Sequence, residues 1–406
     1  MSFNPYIENL QPYPFEKLRR LTQNVTANVN LPHIPLSLGE PKHAPPEFVL
    51  DALADRSVVS GQLATYPATK GSDALRQSIS DWLNRRFATP VDSHTQILPV
   101  NGTREALFAF AQAMLSGRAG SKVMIPNPFY QIYEGAALLA GADVQMIDNE
   151  KALCYQQNFE QVPNEVWEAT ELVYICSPGN PTGHIMSLAQ QQTLIERAHQ
   201  FDFLIASDEC YAELYFDDAA PPPSLLNASQ DMGNLDYARC VVFHSLSKRS
   251  NLPGLRSGFT AGCAHLMESF LKYRTYHGCA LSPHHQQAST LAWQDDLHVQ
   301  ANRQLYRDKF AAVSEILAPV YPLTQPDGGF YHWLPTPIDD QKFCQQLLQD
   351  FNVTVMPGSF LARDTEQGNP GANHVRVAWV APLQDCIEAA KRLRAFGEEL
   401  LHKHQH

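Results

Sequence analysis

The sequence predicts an α/β fold built on a large, mostly parallel sheet, followed by a smaller α+β unit. Three observations predict it. From about residue 95, short β-rich apolar runs alternate with segments of helical period, the pattern of βαβ units. The runs are nearly continuous in apolar residues, as expected of strands covered on both faces. After about residue 290 the alternation gives way to one long polar helix pattern and a few short strands.

Taken in order, residues 1–45 are too Pro-rich to build a domain alone and are expected to pack with the smaller domain. The large domain is expected over residues 46–290. It contains TQILPV, then the helix pattern REALFAFAQAML; KVMIP, then QIYEGAALLA; DVQMID; ELVYICSP, then LAQQQTLIERAHQF; FLIASDE; and RCVVFHSLS. Residues 291–406 form the smaller domain. DLHVQANRQLYRDKFAAVSEIL reads as a helix, GGFYHWLP as a strand, QKFCQQLLQDF as a helix, VTVMPG and HVRVAWV as strands, and the tail to about Leu401 as a last helix.

The composition excludes several function classes. With 406 residues the chain can bury a sizeable core without disulfide or metal staples. Its 30 basic and 42 acidic residues give a formal charge of −12, with no long Lys/Arg run, which disfavours nucleic acid as the main partner. No apolar stretch is long enough to span a bilayer. The start, MSFNPYIENL, lacks the basic and apolar regions of a secretory signal, so a cytoplasmic protein is expected. Eight cysteines (154, 176, 210, 240, 263, 279, 344 and 386) are scattered without a CxxC pair, as expected of reduced, buried thiols. The sixteen histidines form no HExxH spacing, so no metal site is expected.

In open α/β sheets ligands sit at the carboxyl ends of the strands, and four such positions are polar. Asn101, Gly102, Thr103 and Arg104 follow ILPV and open a helix; Pro178, Gly179, Asn180 and Pro181 follow LVYICS; Asp208 and Tyr211 follow FLIAS; Ser245, Ser247 and Lys248 follow VVFH, with Arg256 eight residues on. Two hydroxyls, an amine and a guanidinium suit a phosphate monoester joined to an electrophilic carbonyl. The helix N-terminus after Gly102 adds N–H donors, and the amine of Lys248 can form a Schiff base with an aldehyde. Asp208 would face the ring nitrogen of pyridoxal phosphate and keep the ring an electron sink. Tyr211 and Asn180 are suitable donors for its phenolic oxygen, and Tyr130 could stack on its face.

Each residue also has a plainer reading. Lys248 alone would be a solvated strand end, Asp208 a helix cap, Gly102 a tight turn, Thr103 a cap, Tyr130 and Tyr66 core aromatics, and Gly39 an ordinary turn glycine. The combination favours the cofactor reading over any single member.

The set Gly102/Thr103, Asn180-Pro181, Asp208-x-x-Tyr211, Ser245-x-Ser247-Lys248 and Arg256 resembles the class I/II aminotransferases of the fold-type I pyridoxal phosphate enzymes, over nearly the whole chain from LGEP at Leu38 to HVRVAWV. The resemblance implies pyridoxal 5'-phosphate as cofactor, Lys248 as the residue bonded to it and as proton shuttle, and Asp208 paired with the pyridine nitrogen. It gives the phenolic oxygen to Asn180 and Tyr211, and the phosphate to Gly102, Thr103, Ser245, Ser247 and Arg256. Arg376 would grip the substrate α-carboxylate, with Asn180 and the backbone of Gly39 beside it. Tyr66, in TYPATKG, would reach the phosphate of a neighbouring subunit, which implies a homodimer with shared sites. Ser257 stands where the family usually has an aliphatic residue.

LQPYPFEKLRRL, SLGEPKHAPPEFV and SLSKRSNLPGLRSGF together resemble bacterial N-succinyl-diaminopimelate aminotransferases of lysine biosynthesis. That implies glutamate as donor, with 2-oxoglutarate formed. Lys17, Arg19, Arg20, Arg249 and Arg274 are candidates for the distal charge of such a long anion. Aspartate, aromatic and alanine aminotransferases share the cofactor residues, and so does a carbon-sulfur β-lyase of the same fold. A pyridoxal-binding transcription regulator would need an N-terminal DNA-binding module, for which the first 45 residues leave no room.

Overall fold

The computed structural model describes residues 4–150 and 155–404. Strand β1 is the short stretch Ile34–Pro35. The large sheet takes β2 (Ile97–Val100), β3 (Lys122–Asn127), β4 (Asp143–Glu150), β5 (Gln156–Gln157), β6 (Thr170–Cys176), β7 (Leu204–Asp208), β8 (Cys240–Ser245) and β9 (Gly258–Gly262). Its order is β2-β9-β8-β7-β6-β3-β4-β5. The central pairs β8/β7, β7/β6, β6/β3 and β3/β4 are parallel, so the sheet is α/β and mostly parallel, as the apolar runs predict.

Alternate residues of β8 enter different cores. Cys240 and Val242 join one apolar cluster with Trp82 and Trp293, while Val241 and Phe243 join another with Phe110 and Phe270. Both faces are therefore covered, which explains why this strand reads as an unbroken apolar run. The helix Asp73–Phe87 shows how the cover is made. Leu75, Ile79, Trp82 and Leu83 recur at helical spacing and are fully buried. Ser72 caps its start by accepting from the N–H of Leu75 at 3.3 Å. Burying side chains of this size contributes about 2–3 kcal/mol each.

One element was not legible in the sequence. Gly258–Gly262, which begins at the last residue of the polar stretch SNLPGLRSG, forms β9 and lies antiparallel between β2 and β8. A side chain at Gly258 would collide with the carbonyl of His244, so the strand needs glycine where it meets β8. The helices Asp73–Phe87, Ala264–His277 and Pro283–Gln294 also lie in stretches that the sequence reading left unassigned.

A second, antiparallel sheet joins β10 (Tyr331–Pro335), β12 (Met356–Pro357) and β13 (His374–Ala378), with β13 central. The short β11 (Val353–Thr354) pairs in parallel with β1. Phe310, Val313, Leu347, Val375, Leu393 and Phe396 share their core. The N-terminal segment touches both parts: Ile34–Pro35 pairs with β11, while Tyr6 near the start lies against Gly141 beyond β3. Cys154 lies outside the described residues; the other seven cysteines are free thiols. Among the described residues no helix is long and apolar enough to cross a membrane.

Candidate active site

The register of β9 assembles one end of the site. Gly258 lies opposite both Val100 of β2 and Ser245 of β8, so Arg256 and Ser257, just before it, meet the residues that follow those strands. Gly102 has φ +82°, and a Cβ there would overlap Nη2 of Arg256. Glycine is required twice over, by its backbone angle and by the close guanidinium. The helix Thr103–Met114 starts at Gly102 with no side-chain cap, which leaves first-turn N–H groups for an anion. Ser245 Oγ donates to Ser247 Oγ at 2.9 Å and accepts from the Ser247 N–H at 3.1 Å. Arg256 Nη1 is steadied on Pro253 O at 2.9 Å. Ser257, the unusual polar residue, is buried and accepts from Ser289 Oγ at 2.7 Å. Its hydroxyl thus has a partner within the fold.

Lys248 follows on the short helix Leu246–Arg249. Its Nζ donates to Gly39 O at 3.1 Å and lies 5.8 Å from the centre of the Phe330 ring. Burial, helped by the charges of Arg256 and Arg376, lowers its pKa to about 8. Asp208 ends β7 and is buried. Tyr133 Oη donates to its Oδ2 at 2.7 Å, and the Cys210 N–H donates to its Oδ1 at 3.2 Å. Burial raises its pKa, while these hydrogen bonds hold it down. Beside it, Thr103 Oγ1 and Cys210 Sγ are 3.0 Å apart.

The small sheet and the N-terminal segment close the other side. Arg376 of β13 is buried: Nη1 donates to Asn180 Oδ1 at 3.0 Å, Nη2 to Ser37 O at 2.8 Å, and the guanidinium lies 4.6 Å from the centre of the Tyr331 ring. Its Nε is buried with no hydrogen-bond partner among the described residues. Tyr211 Oη and Tyr331 Oη are 2.9 Å apart. A Cβ on Gly39 would overlap the Tyr331 hydroxyl, so glycine there allows the N-terminal segment to reach the site. Arg104 Nε donates to Tyr130 Oη at 2.8 Å.

These groups line one cavity of about 420 Å³, with Tyr13, Pro14 and Phe15 also on its wall. Thirteen of the fourteen residues singled out from the sequence (Gly39, Gly102, Thr103, Arg104, Tyr130, Asn180, Asp208, Tyr211, Ser245, Ser247, Lys248, Arg256 and Arg376) come to it or, in the case of Gly102, abut it. Tyr66 does not. It is fully exposed and borders a second cavity with Gln62, Gly71 and Gln286. That position leaves its expected role in a neighbouring subunit untouched, whereas the candidates for distal charge lie elsewhere. Arg274 is fully buried and holds Glu105 at 2.6 and 2.9 Å. Arg249 is buried against Asp296 at 2.8 Å and the Ala292 carbonyl at 2.7 Å. Arg20 pairs with Glu16 on its own helix, and neither Lys17 nor Arg19 lines the cavity.

The sequence reading missed Tyr133, Tyr331 and Ser37. Tyr133 follows Tyr130 by three residues across the turn that opens the helix Ile132–Leu139, and that spacing was the available signal. Tyr331 lay in GGFYHWLP, where it reads as core; the carbonyl of Ser37 carries no sequence signal.

The residues fit pyridoxal 5'-phosphate. Gly102 leaves room for a guanidinium beside an uncapped helix start, two hydroxyls meet there, and a half-buried amine of lowered pKa and a buried carboxylate share the cavity. The donors suit the phosphate, Lys248 the aldehyde and Asp208 the ring nitrogen.

Comparison with known proteins gives a concordant result. The family model for aminotransferase class I and II matches residues 32–393. A crystal structure of an aminotransferase from Neisseria meningitidis superposes with a TM-score of 0.92 at 43% identity, covering 97% of this chain and 100% of that one. LL-diaminopimelate aminotransferase from Nitratidesulfovibrio vulgaris is 27% identical over 391 residues, 95% of this chain and 97% of its own length. A structure described as a probable N-succinyldiaminopimelate aminotransferase from Thermus thermophilus has a TM-score of 0.82 at 24% identity, covering 94% and 98%, and shares the fold.

Proposed function

The chain belongs to the class I and II aminotransferases, enzymes that use pyridoxal 5'-phosphate, and on that premise we propose that it transfers an amino group between glutamate/2-oxoglutarate and N-succinyl-2-amino-6-oxopimelate. One observation carries the reading. Lys248, Asp208 and Arg376 line a single cavity of about 420 Å³, and the buried Arg376 keeps one nitrogen without an internal partner. A guanidinium held on that wall is suited to a substrate carboxylate.

Pyridoxal 5'-phosphate, when bound, supplies an aldehyde for the substrate amine and a conjugated ring that takes up the electron pair left on Cα. The rest is done by side chains. Arg376 binds the α-carboxylate by charge-assisted hydrogen bonds, with its plane fixed by Asn180 and Ser37 O. Lys248 Nζ takes the proton from Cα, because its lowered pKa makes free amine available close to neutrality. Asp208, held by Tyr133, would stand against the ring nitrogen. Gly102, Thr103, Arg104, Ser245, Ser247 and Arg256 would hold the phosphate, Asn180 and Tyr211 the phenolic oxygen, and Tyr130 the ring face. The same reading has the active enzyme as a cytoplasmic homodimer, with Tyr66 completing the neighbouring site, and the chain divided at about residues 45 and 290.

The cavity wall extends beyond the proposed cofactor residues to Tyr13, Pro14 and Phe15, which leaves surface for a long substrate. The likeness to LL-diaminopimelate aminotransferase favours a second reading, in which diaminopimelate itself is the amino donor. A half-reaction screen separates the two. Loss of the enzyme-bound cofactor absorbance is followed as glutamate, N-succinyl-diaminopimelate, LL-diaminopimelate, aspartate and tyrosine are added singly. The expected result is a response to glutamate and the succinylated compound, with little from tyrosine. A response to LL-diaminopimelate without the succinylated compound overturns the substrate assignment, and pyruvate and ammonia released without any oxo-acid acceptor would point to a β-lyase.

A further inference from the structure

Outside the cavity, the most unusual buried group is Lys309. It lies on the helix Leu297–Leu317 and is 2% exposed. Its Nζ is 2.7 Å from His43 Nε2 and 3.4 Å from Val380 O. No carboxylate lies within ion-pair distance among the described residues. A buried ammonium without an acid is costly, so its partners repay inspection.

The contacts fix a direction. Lys309 as a cation can only donate, so His43 Nε2 accepts. His43 is then neutral with its proton on Nδ1, which lies 2.8 Å from Asn302 Oδ1. That oxygen also accepts from Asn251 Nδ2 at 2.9 Å. The amide nitrogen of Asn302 is left to donate, and it reaches Lys248 O at 3.1 Å and Arg249 O at 3.4 Å. Those carbonyls end the short helix Leu246–Arg249, where no further turn exists to satisfy them. Burial and the neighbouring Lys309 both lower the pKa of His43, which keeps the ring neutral.

We propose that Lys309, His43 and Asn302 form a one-way hydrogen-bond chain that holds the backbone of Lys248. His43 and Asn302 are thus positioning residues for amino transfer. The chain links three distant stretches: His43 from the N-terminal segment, Asn302 and Lys309 from the helix Leu297–Leu317, and the helix bearing the reacting amine. Reversal of the imidazole would put a donor against the ammonium and leave the amide oxygen of Asn302 without its histidine donor. The chain therefore specifies one tautomer as well as one position. The inference rests on Lys248 being the reacting amine.

The test compares His43→Leu with His43→Gln, since glutamine can accept from Lys309 and donate to Asn302 while leucine can do neither. In the cofactor-loaded enzyme, His43→Leu is expected to lower kcat by about tenfold to a hundredfold, the scale of a misplaced reacting group, with KM for the amino acid changed less than about twofold. The pH midpoint of the bound-cofactor absorbance should also move. His43→Gln should recover most of both. Equal behaviour of the two variants, or no effect of either, overturns the proposal. Should His43→Leu fail to fold, nitrogen NMR of histidine-labelled wild-type enzyme, assigned by difference with His43→Gln, decides the matter. A proton on Nδ1 with a bare Nε2 is expected; the opposite tautomer or an imidazolium overturns the chain. Lys248→Ala in parallel keeps the two readings apart, because retained turnover there would sink the assignment of Lys248 and leave the tautomer result standing.

Discussion

Gly102 and Arg256 are in contact across the end of the sheet, close enough that a single methyl group on Gly102 would displace the guanidinium. The anion site therefore depends on an absent side chain as much as on the present ones. Gly102→Ala is expected to weaken pyridoxal phosphate binding by about tenfold or more, combining backbone strain with a displaced Arg. Gly117→Ala is the control. That glycine also has positive φ, +71°, but a Cβ there meets nothing within 4 Å. Cofactor titration by absorbance should show loss in the first variant and none in the second.

Arg376 makes two well-directed hydrogen bonds and lies on the cavity wall. A lysine cannot reproduce that planar fork. Arg376→Lys should raise KM for glutamate about a hundredfold, ~3 kcal/mol of lost binding, with cofactor affinity unchanged. An unaltered KM would remove the carboxylate assignment.

The lowered pKa of Lys248 gives a pH signature. Only neutral amine attacks an aldehyde, and with a value of about 8 roughly a tenth is neutral at pH 7 and half at pH 8. Uptake of pyridoxal phosphate by the cofactor-free chain should quicken about fivefold across that interval, in stopped-flow absorbance. The same shift has a stability consequence. Between about 8 and 10.5 the unfolded chain binds more protons than the folded one, so this lysine favours folding more as pH rises through that window and less as it falls.

Tyr66 tests the shared site. Mixed with Lys248→Ala, a Tyr66→Ala chain can form hybrids in which one site carries both defects and the other carries neither. At limiting cofactor, activity should climb on mixing towards about a quarter of wild type. Failure to climb means that Tyr66 serves its own chain or does not serve the site at all.

Most of the sheet was legible because buried parallel strands are written as apolar runs, and the polar residues just past β2, β6, β7 and β8 were conspicuous against them. β9 escaped because its two bounding glycines and the polar loop before it resemble a turn, although Gly258 is there to meet the His244 carbonyl. Asp208, Lys248 and Arg256 announced themselves by residue type and spacing. Tyr133 and Tyr331 did not, since a buried aromatic that orients another group looks like core until its hydroxyl is seen. Arg274 and Arg249 were misjudged for a related reason: a cation's partner is set by tertiary contact, and both are consumed by Glu105 and Asp296.

The carbonyls of Ser37 and Gly39, two residues apart, receive Arg376 and Lys248 respectively. One stretch of main chain thus acts as a ruler between the guanidinium proposed to grasp the substrate and the amine proposed to react with it. Side-chain replacements at Leu38 leave the ruler intact, whereas deleting one residue there would throw both cations out of step together. Changes in length at this point are for that reason far less tolerable than changes in identity.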